Sequence, residues 1–175
     1  MATAPQTLLT LEEFNQRYGA EPGWEYWFGE VVRKPVPTWY HGILQFVLTG
    51  LLFDAGYFAG GEIDLKVDPR WQPRPDVLGA SVIDGPYPTK PVELVIEILS
   101  DDQFRYVHEK CRHYHRIGIA AIYVADPEQR RLWQWNPERE NLDPVENVVL
   151  PNAVPLTGAT IWAEFERRIV QRRAD

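Results

Sequence analysis

The sequence predicts an α/β protein in which helices flank a central mixed β-sheet. Two apolar runs, at 76–83 and 91–98, enclose the turn-rich segment 84–90, a pattern typical of a β-hairpin. Apolar side chains then recur at three- and four-residue spacing within 104–114, which indicates a helix directly after the hairpin. The chain has 175 residues, 45% of them hydrophobic, and is expected to form one domain spanning 1–175.

Before the central hairpin the pattern predicts alternating helices and strands. In order, they are a helix at 11–18, strands at 24–28 and 31–35, a helix at 40–55 and a strand at 63–67. Thr10 and Glu13 have the spacing of a capping box and mark the start of the first helix. Gly56 marks the end of the second helix.

After the central hairpin the pattern predicts two helices separated by strands. In order, they are a helix from about 102 to 117, strands at 119–125 and 132–135, and a final helix at 160–169. Residues 100–102 can cap the first of these helices, and Gly118 ends it. The stretch 136–157 is rich in Pro and Asn and contains one apolar run, at 148–150.

Two carboxylates on the central hairpin predict a metal site. With the turn centred near Tyr87, antiparallel partners have residue numbers that sum to about 173, which places Asp76 opposite Glu97. Facing carboxylates repel each other, and burying either one among apolar neighbours costs several kcal/mol unless a cation compensates. A divalent metal ion is the natural compensation.

Lys110 is the basic residue expected to face this pair, because the helix after the hairpin must fold back along the sheet. On a helical wheel Lys110 lies about 40° from Tyr114, at the border of the sheet-facing stripe. Its ammonium could there stabilise developing negative charge or orient a metal-bound water. A lysine that simply extends into solvent fits the sequence equally well.

Charge and composition limit the partners of the chain. The net charge of −7 opposes binding to nucleic acid, although the segment 66–131 carries ten basic and ten acidic residues and is therefore neutral. No apolar stretch approaches the length of a membrane span, and the N-terminus lacks a signal-peptide pattern, so we expect a cytoplasmic protein without membrane contact. The single cysteine, Cys111, excludes an internal disulfide.

A competing metal site consists of His108, Cys111 and His115, which lie on one side of the helix after the hairpin. Three ligands from one helix form a poor tetrahedral set, and Cys111 belongs to the apolar stripe. We therefore favour the carboxylate pair.

Several short motifs follow one another along the chain. They are Pro75-Asp76, Glu97-Ile98-Leu99-Ser100, Glu109-Lys110-Cys111-Arg112-His113-Tyr114, Arg116-Ile117-Gly118 and Tyr123-Val124-Ala125-Asp126-Pro127. Upstream stand Glu25-Tyr26-Trp27-Phe28-Gly29-Glu30-Val31-Val32 and, at the start of the long helix, His41. In order and spacing, over most of residues 9–135, these motifs resemble the Uma-type restriction endonuclease family, a branch of the PD-(D/E)XK nuclease superfamily.

The resemblance implies a restriction endonuclease-like core that binds Mg²⁺ or Mn²⁺ and hydrolyses phosphodiester bonds in DNA. By position, Asp76 and Glu97 would be metal ligands, with the Ile98 carbonyl as a third. Lys110 would be the catalytic lysine, supplied by the helix because the usual strand position carries Leu99. Relatives often have an acidic residue one turn before this lysine, where the chain reads Arg105-Tyr106-Val107.

The resemblance also implies supporting residues and a partner. Glu25 and Glu30 would position water or support the ligands, with Glu30 favoured, and Tyr114 would support the same centre. His41 either caps its helix or acts as a base. The resemblance further implies a homodimer. Two basic side chains of the helix could contact substrate phosphates, namely Arg112 and Arg116, although surface charges are the simpler interpretation of both.

Two functions from different classes therefore remain open. The first is a Mg²⁺-dependent nuclease with Asp76, Glu97 and Lys110 as its catalytic residues. The second is a catalytically inactive homodimeric interaction module that keeps the nuclease fold, which the acidic charge and Tyr106 favour.

Overall fold

The computed structural model describes residues 8–19, 21–100, 104–152 and 154–170. Its helices are α1 (Leu11–Tyr18), α2 (Trp39–Asp54), α3 (Phe104–Arg116) and α4 (Gly158–Val170). Its strands are β1 (Trp24–Trp27), β2 (Glu30–Arg33), β3 (Phe58–Gly60), β4 (Trp71–Gln72), β5 (Val77–Ala80), β6 (Leu94–Ile98), β7 (Ala121–Asp126), β8 (Arg131–Asn136), β9 (Asn141–Val145), β10 (Asn147–Val149) and β11 (Pro155–Thr157).

A six-stranded mixed sheet forms the centre of the fold, in the order β3-β5-β6-β7-β8-β9. The pair β6 and β7 is parallel, whereas the other neighbours are antiparallel. All five residues of β6 are buried, because helices cover both faces of the sheet at this strand. The predicted α/β class with a central mixed sheet is confirmed.

The two faces of the sheet have separate apolar cores. Helices α2 and α4 pack on one face, where Leu48, Phe165 and Ile96 belong to one apolar core. Helix α3 packs on the other face, where Cys111 meets Val95. Because successive strand residues point to opposite faces, Glu97 belongs to the α3 face with Val95.

The predicted register of the central hairpin is confirmed. Val77 pairs with Ile96 and Leu78 pairs with Val95, so partner numbers sum to 173 as expected. Asp76 directly precedes β5 and lies opposite Glu97 by the same register. The strands are shorter than predicted, since β5 ends at Ala80 and β6 begins at Leu94.

A second, three-stranded sheet has the order β2-β1-β4, and its strand β4 directly precedes β5 in the chain. The predicted hairpin of β1 and β2 is confirmed, but β4 was not predicted. The strand predicted at 63–67 is wrong. This segment runs beside Pro73 and Pro75, which accept hydrogen bonds from Leu65 and Glu62 but have no N–H with which to complete a ladder.

The helices agree closely with the sequence patterns. Thr10 and Glu13 form the predicted capping box at α1. Gly56 and Gly118 follow α2 and α3 with φ of 90° and 96°, a backbone conformation that favours glycine. Of the residues predicted to cap α3, Asp101 and Asp102 lie outside the described residues.

The region after β8 contains more sheet than the sequence suggested. Strand β9 extends the central sheet as its edge, and β10 pairs with β11 in a separate two-stranded sheet. The apolar run at 148–150 is buried at Val148 and Leu150, against the α4 side of the core. Among the residues described, no helix is long and apolar enough to span a bilayer.

Candidate functional site

A cleft of about 400 Å³ opens where β6 ends, between the β2–α2 segment and the first turn of α3. Its lining combines titratable and apolar side chains. The polar and charged residues along it are Arg33, Lys34, His41, Gln45, Glu62, Arg74, Asp76, Glu97, Ser100 and Tyr106. The predicted carboxylates Asp76 and Glu97 therefore both reach one cavity.

Asp76 is held at the floor of the cleft by the backbone of the neighbouring strand. Its Oδ2 accepts a hydrogen bond of 2.8 Å from the N–H of Ile98. Its Oδ1 lies 3.0 Å from Lys34 Nζ and 3.5 Å from His41 Nε2. Burial alone would raise the pKa of Asp76, but Lys34 and His41 outweigh it and hold the pKa well below its ordinary range. Asp76 is therefore ionised.

Lys110 is fully buried on the sheet-facing side of α3 and bridges two carboxylates. Its Nζ lies 2.9 Å from Glu97 Oε1 and 3.1 Å from Glu25 Oε1. It also donates to the carbonyl oxygen of Arg74 at 3.4 Å. Burial disfavours the charged lysine, but Glu25 and Glu97 raise its pKa well above the usual value. The structure thus places the Lys110 ammonium beside Glu97. The alternative prediction, that the Lys110 side chain extends into solvent, is wrong.

Glu97 titrates differently from its neighbours. Burial is the largest influence on its pKa, and burial and the Asp76 carboxylate together raise this pKa to about 7 against the opposing effect of Lys110. The Tyr114 hydroxyl donates to Glu97 Oε1 at 2.5 Å, so the structure brings Tyr114 to this carboxylate. Three buried carboxylates share two ammonium groups in this cluster, so one proton on Glu97 balances the charge.

Glu25 is the most enclosed carboxylate of the site. Its Oε2 accepts hydrogen bonds from Trp27 Nε1 at 2.9 Å and from the Tyr106 hydroxyl at 2.5 Å. Its Oε1 accepts from the backbone N–H of Arg74 at 2.7 Å. Burial would raise the pKa of Glu25, but Lys110 and the other donors lower it overall. Glu25 is therefore ionised, and its negative charge stabilises the Lys110 ammonium.

Glu30, the favoured member of the predicted Glu25–Glu30 pair, lies elsewhere. It is exposed on β2 and is not among the residues that line the cleft. Glu30 pairs with Trp27 and therefore shares the face of Glu25, but it lies at the turn end of the hairpin, where its side chain is exposed. Supporting contacts to the site come from Glu25.

His41 faces the site rather than capping its helix. Thr38 caps α2, since its hydroxyl accepts from the His41 N–H at 3.2 Å. The His41 ring is buried, with Nδ1 at 2.9 Å from Ser100 Oγ and Nε2 toward Asp76. Helix α2 thus orients the imidazole toward the carboxylate, although 35 positions separate the two residues.

The two arginines considered for substrate contacts do not line the cleft. Arg112 lies farther along α3 and pairs with Glu109 and Glu140 at 3.3 and 3.4 Å. Arg116 is exposed at the end of the helix. The exposed basic side chain at the cleft is Arg33, whose guanidinium lies 5.7 Å from the centre of the Trp24 ring.

The competing cluster on α3 does not converge. Cys111 is buried in the apolar core, and burial raises its pKa well above the usual value. His108 contacts the Glu140 carbonyl at 3.0 Å and the Trp135 ring, while His115 is exposed. Among the residues described, these three do not form a group suited to a metal ion.

The compact group of potential metal donors consists of His41, Glu62 and Asp76. One donor atom from each lies within 4.8 Å of the others. The group contains Asp76 but not Glu97, whose two oxygens already contact Lys110 and Tyr114. The donor set of two carboxylates and one imidazole suits a divalent ion such as Mn²⁺ or Mg²⁺.

Sequence reasoning missed Lys34 and Glu62. Lys34 Nζ donates to Glu62 Oε1 at 2.6 Å, to Asp76 Oδ1 at 3.0 Å and to the Arg74 carbonyl at 2.8 Å. Nothing next to Lys34 in the sequence signals this role, because its partners lie 28 to 42 positions away. The sequence does contain a signal for Glu62, because two glycines precede it. They let this segment lie close to the backbone of Asp76, since a Cβ at Gly61 would overlap the Asp76 carbonyl oxygen.

The fold belongs to the class of a solved protein described as a putative nuclease. The structure resembles the "Crystal structure of a putative nuclease belonging to DUF820 from Anabaena variabilis ATCC 29413", with a TM-score of 0.73 and 20% sequence identity. The match covers 90% of this chain and 99% of that chain, and at this identity it shows the fold. No curated protein matches the chain.

The chain belongs to the Uma2 family, described as "Putative restriction endonuclease", whose family model matches residues 11–165. The resemblance drawn from the motifs is therefore confirmed.

Proposed function

We propose that the protein is a divalent-metal-dependent nuclease that hydrolyses phosphodiester bonds in DNA, and that the cleft at the end of β6 is its active site. One observation carries this proposal: Lys110 is fully buried between Glu25 and Glu97, and Glu97 and the ionised Asp76 both reach the cleft. Burying so many charges is costly, and such clusters are concentrated at functional sites. Membership of a restriction endonuclease family favours nuclease chemistry.

Asp76 is the proposed central metal ligand. Glu62 and His41 complete the compact donor group, whereas the family resemblance adds Glu97 and the Ile98 carbonyl. A bound Mg²⁺ or Mn²⁺ would neutralise charge on the phosphate and lower the pKa of a bound water. The hydrogen bond from the Ile98 N–H fixes Asp76 Oδ2 and leaves Oδ1 directed toward His41 and Lys34.

Lys110 is proposed to act through its carboxylate partners. Its ammonium already donates to Glu25, Glu97 and the Arg74 carbonyl, and its side chain is fully buried. It therefore keeps positive potential beneath the cleft and fixes the Glu97 carboxylate. In the proposed reaction Glu97 accepts a proton from the attacking water, because its carboxylate reaches the cleft next to Asp76.

DNA is the proposed substrate, and Arg33 is the proposed phosphate contact. Arg33 lines the cleft, is exposed and forms no salt bridge within the part of the chain that the structure describes. Guanidinium groups bind phosphate oxygens in a bidentate geometry. Arg33 thus gives the cleft an exposed positive charge although the chain as a whole has a net charge of −7.

The homodimer implied by the family resemblance is also a proposal. Helix α2 exposes a row of large apolar side chains at every second turn, with Trp39 86%, Phe46 61% and Phe53 60% exposed. A twofold interface needs one self-complementary patch, and a second copy of this helix face would supply it. Light scattering should give twice the 20.3 kDa chain mass, and Phe46→Glu should give the monomer mass.

The second candidate function is a catalytically inactive interaction module, and one observation favours it. The Lys34 ammonium lies within the group of potential metal donors, where it already compensates the carboxylates. A site stabilised in this way does not need a metal to remain folded.

A cleavage assay separates the two candidates. Supercoiled plasmid and a labelled single strand are incubated with the protein and Mg²⁺ or Mn²⁺. The nuclease proposal predicts cleavage that EDTA, Asp76→Asn and Lys110→Met each abolish. Lys90→Met, at an exposed lysine outside the cleft, should cleave like the wild type. Absence of cleavage with either metal and either substrate, by protein that melts cooperatively, would favour the interaction module.

A further inference from the structure

The ammonium of Lys34 is bound in the manner of a metal ion. Three oxygen atoms surround it, from Glu62, Asp76 and the Arg74 carbonyl, at 2.6 to 3.0 Å. Two carboxylates and a backbone carbonyl are also the ligand types that hard divalent cations prefer. The side chain is only 8% exposed, so solvent does not replace these contacts.

Charge balance shows why a cation belongs at this position. Glu25, Asp76 and Glu97 are buried, and Glu62 is half-exposed beside them, whereas Lys34 and Lys110 are the buried lysines of the cluster. Removing Lys34 would leave Lys110 as the one buried lysine among these carboxylates. A divalent ion that took over the oxygens of Asp76 and Glu62 would replace that charge and exceed it.

We propose that Lys34 is a resident competitor for the metal position: a divalent ion takes Asp76 and Glu62 from it and moves its ammonium into the cleft. This inference rests on the proposed metal-dependent function and adds to it how the metal is admitted. Binding of the metal and binding of Lys34 to the carboxylates exclude each other in this proposal, because Lys34 already contacts Asp76 and Glu62, two of the three residues of the donor group.

The surroundings of Lys34 allow this movement. Its backbone is fixed, since its N–H donates to the Gly23 carbonyl at 2.7 Å, but the four-carbon side chain lines the cleft. Lys110 differs, because it is fully buried beneath the helix. The displaced ammonium would lie in the same cavity as Arg33 and add a second cation for a substrate phosphate.

Chemical labelling of the wild-type protein tests the movement without a variant. The protein is treated briefly with an acetylating reagent, with and without saturating Mn²⁺, and labelling at each lysine is measured by mass spectrometry. We expect Mn²⁺ to increase labelling of Lys34 several-fold. Two lysines are internal controls: Lys110 should stay unlabelled and Lys90, with a side chain 81% exposed, should label at one rate throughout. Unchanged labelling of Lys34 at saturating Mn²⁺ would overturn the proposal.

A titration of Lys34→Met with Mn²⁺ gives an independent test. Methionine keeps the unbranched shape of the side chain, is one atom shorter and removes the charge. Mn²⁺ should therefore bind with an affinity about tenfold or more above the wild type, because no ammonium competes. An unchanged or weaker affinity in a variant that melts cooperatively would overturn the competitor role while leaving the metal site standing. No Mn²⁺ binding to either protein would overturn both this inference and the proposed nuclease.

Discussion

Lys110 and Glu97 form a buried ion pair between helix α3 and strand β6, with 2.9 Å between the ammonium nitrogen and the nearer carboxylate oxygen. The pair depends on the chain reversal after β6, which returns α3 along the sheet so that its buried face lies over the strand. Glu25 contacts the same ammonium from β1. Lys110 therefore connects the central sheet to the small sheet as well as serving the site.

Replacing Lys110 by Met should destabilise the fold strongly. The variant leaves Glu25 and Glu97 buried without their shared cation, and breaking a buried pair in this way costs about 3–5 kcal/mol. Urea unfolding at pH 7 measures the loss. Lys90→Met is the matched control and should change stability by less than about 0.5 kcal/mol, because its side chain is exposed. Equal stabilities of the two variants would contradict the buried pair.

The titration of Glu97 should make stability depend on pH. Its pKa is raised from 4.5 to about 7, so the folded state holds a proton that the unfolded chain releases. The stability from this group is therefore fully present below about pH 4.5 and is lost as pH rises through 7, by on the order of 3 kcal/mol. Asp76 acts in the opposite sense, because its pKa is lowered, but its effect appears only below about pH 4.

Glu97→Gln isolates this effect. The neutral amide cannot titrate. As pH rises from 5 to 8, the wild type should therefore lose stability relative to the variant. Thermal or urea unfolding at several pH values within this range gives the slope. Parallel stability curves for the two proteins would mean that Glu97 is ionised throughout.

Tyr106→Phe should cost about 1–2 kcal/mol, because Glu25 loses one donor while Lys110, Trp27 and the Arg74 N–H remain. The ring itself stays stacked on Trp27, so packing is conserved. Tyr87→Phe, at a half-exposed ring over which Lys66 lies, provides the control. A Tyr106→Phe protein as stable as this control would show that the phenol contributes nothing to holding Glu25.

Metal binding should release a proton near neutral pH. A divalent ion at Asp76 lowers the pKa of the neighbouring Glu97, which holds a proton in part at pH 6–7. Mn²⁺ titrations in buffers of different ionisation enthalpy measure the protons released. The release should disappear in Glu97→Gln, and an equal release by that variant would assign the proton to another group.

The sequence predicted the parts of the site that depend on local pattern. The turn-rich loop fixed the register that places Asp76 opposite Glu97, and the helical spacing placed Lys110 near the sheet-facing stripe. Family motifs added Glu25, His41 and Tyr114. These residues lie in segments whose periodicity or motif order is readable without coordinates.

The remaining features depend on contacts between distant segments. Lys34 follows a short strand and reaches Asp76 only because the small sheet lies beside the start of β5. Strands β4 and β9 were not predicted, since one has two residues and the other contains a proline. Arg112 and Arg116 are of a residue type that binds phosphate. They lie outside the cleft, however, because the cleft reaches only the first turn of α3.

The central claim is that Asp76 anchors a divalent metal in the cleft, and a calorimetric titration of Mn²⁺ into the wild type and Asp76→Asn tests it most directly. Asparagine retains an oxygen that can accept from the Ile98 N–H, so the hairpin should stay intact, which a thermal melt verifies. The account predicts saturable binding to the wild type and its loss in the variant. Equal binding by both proteins, or no binding by either, would contradict it.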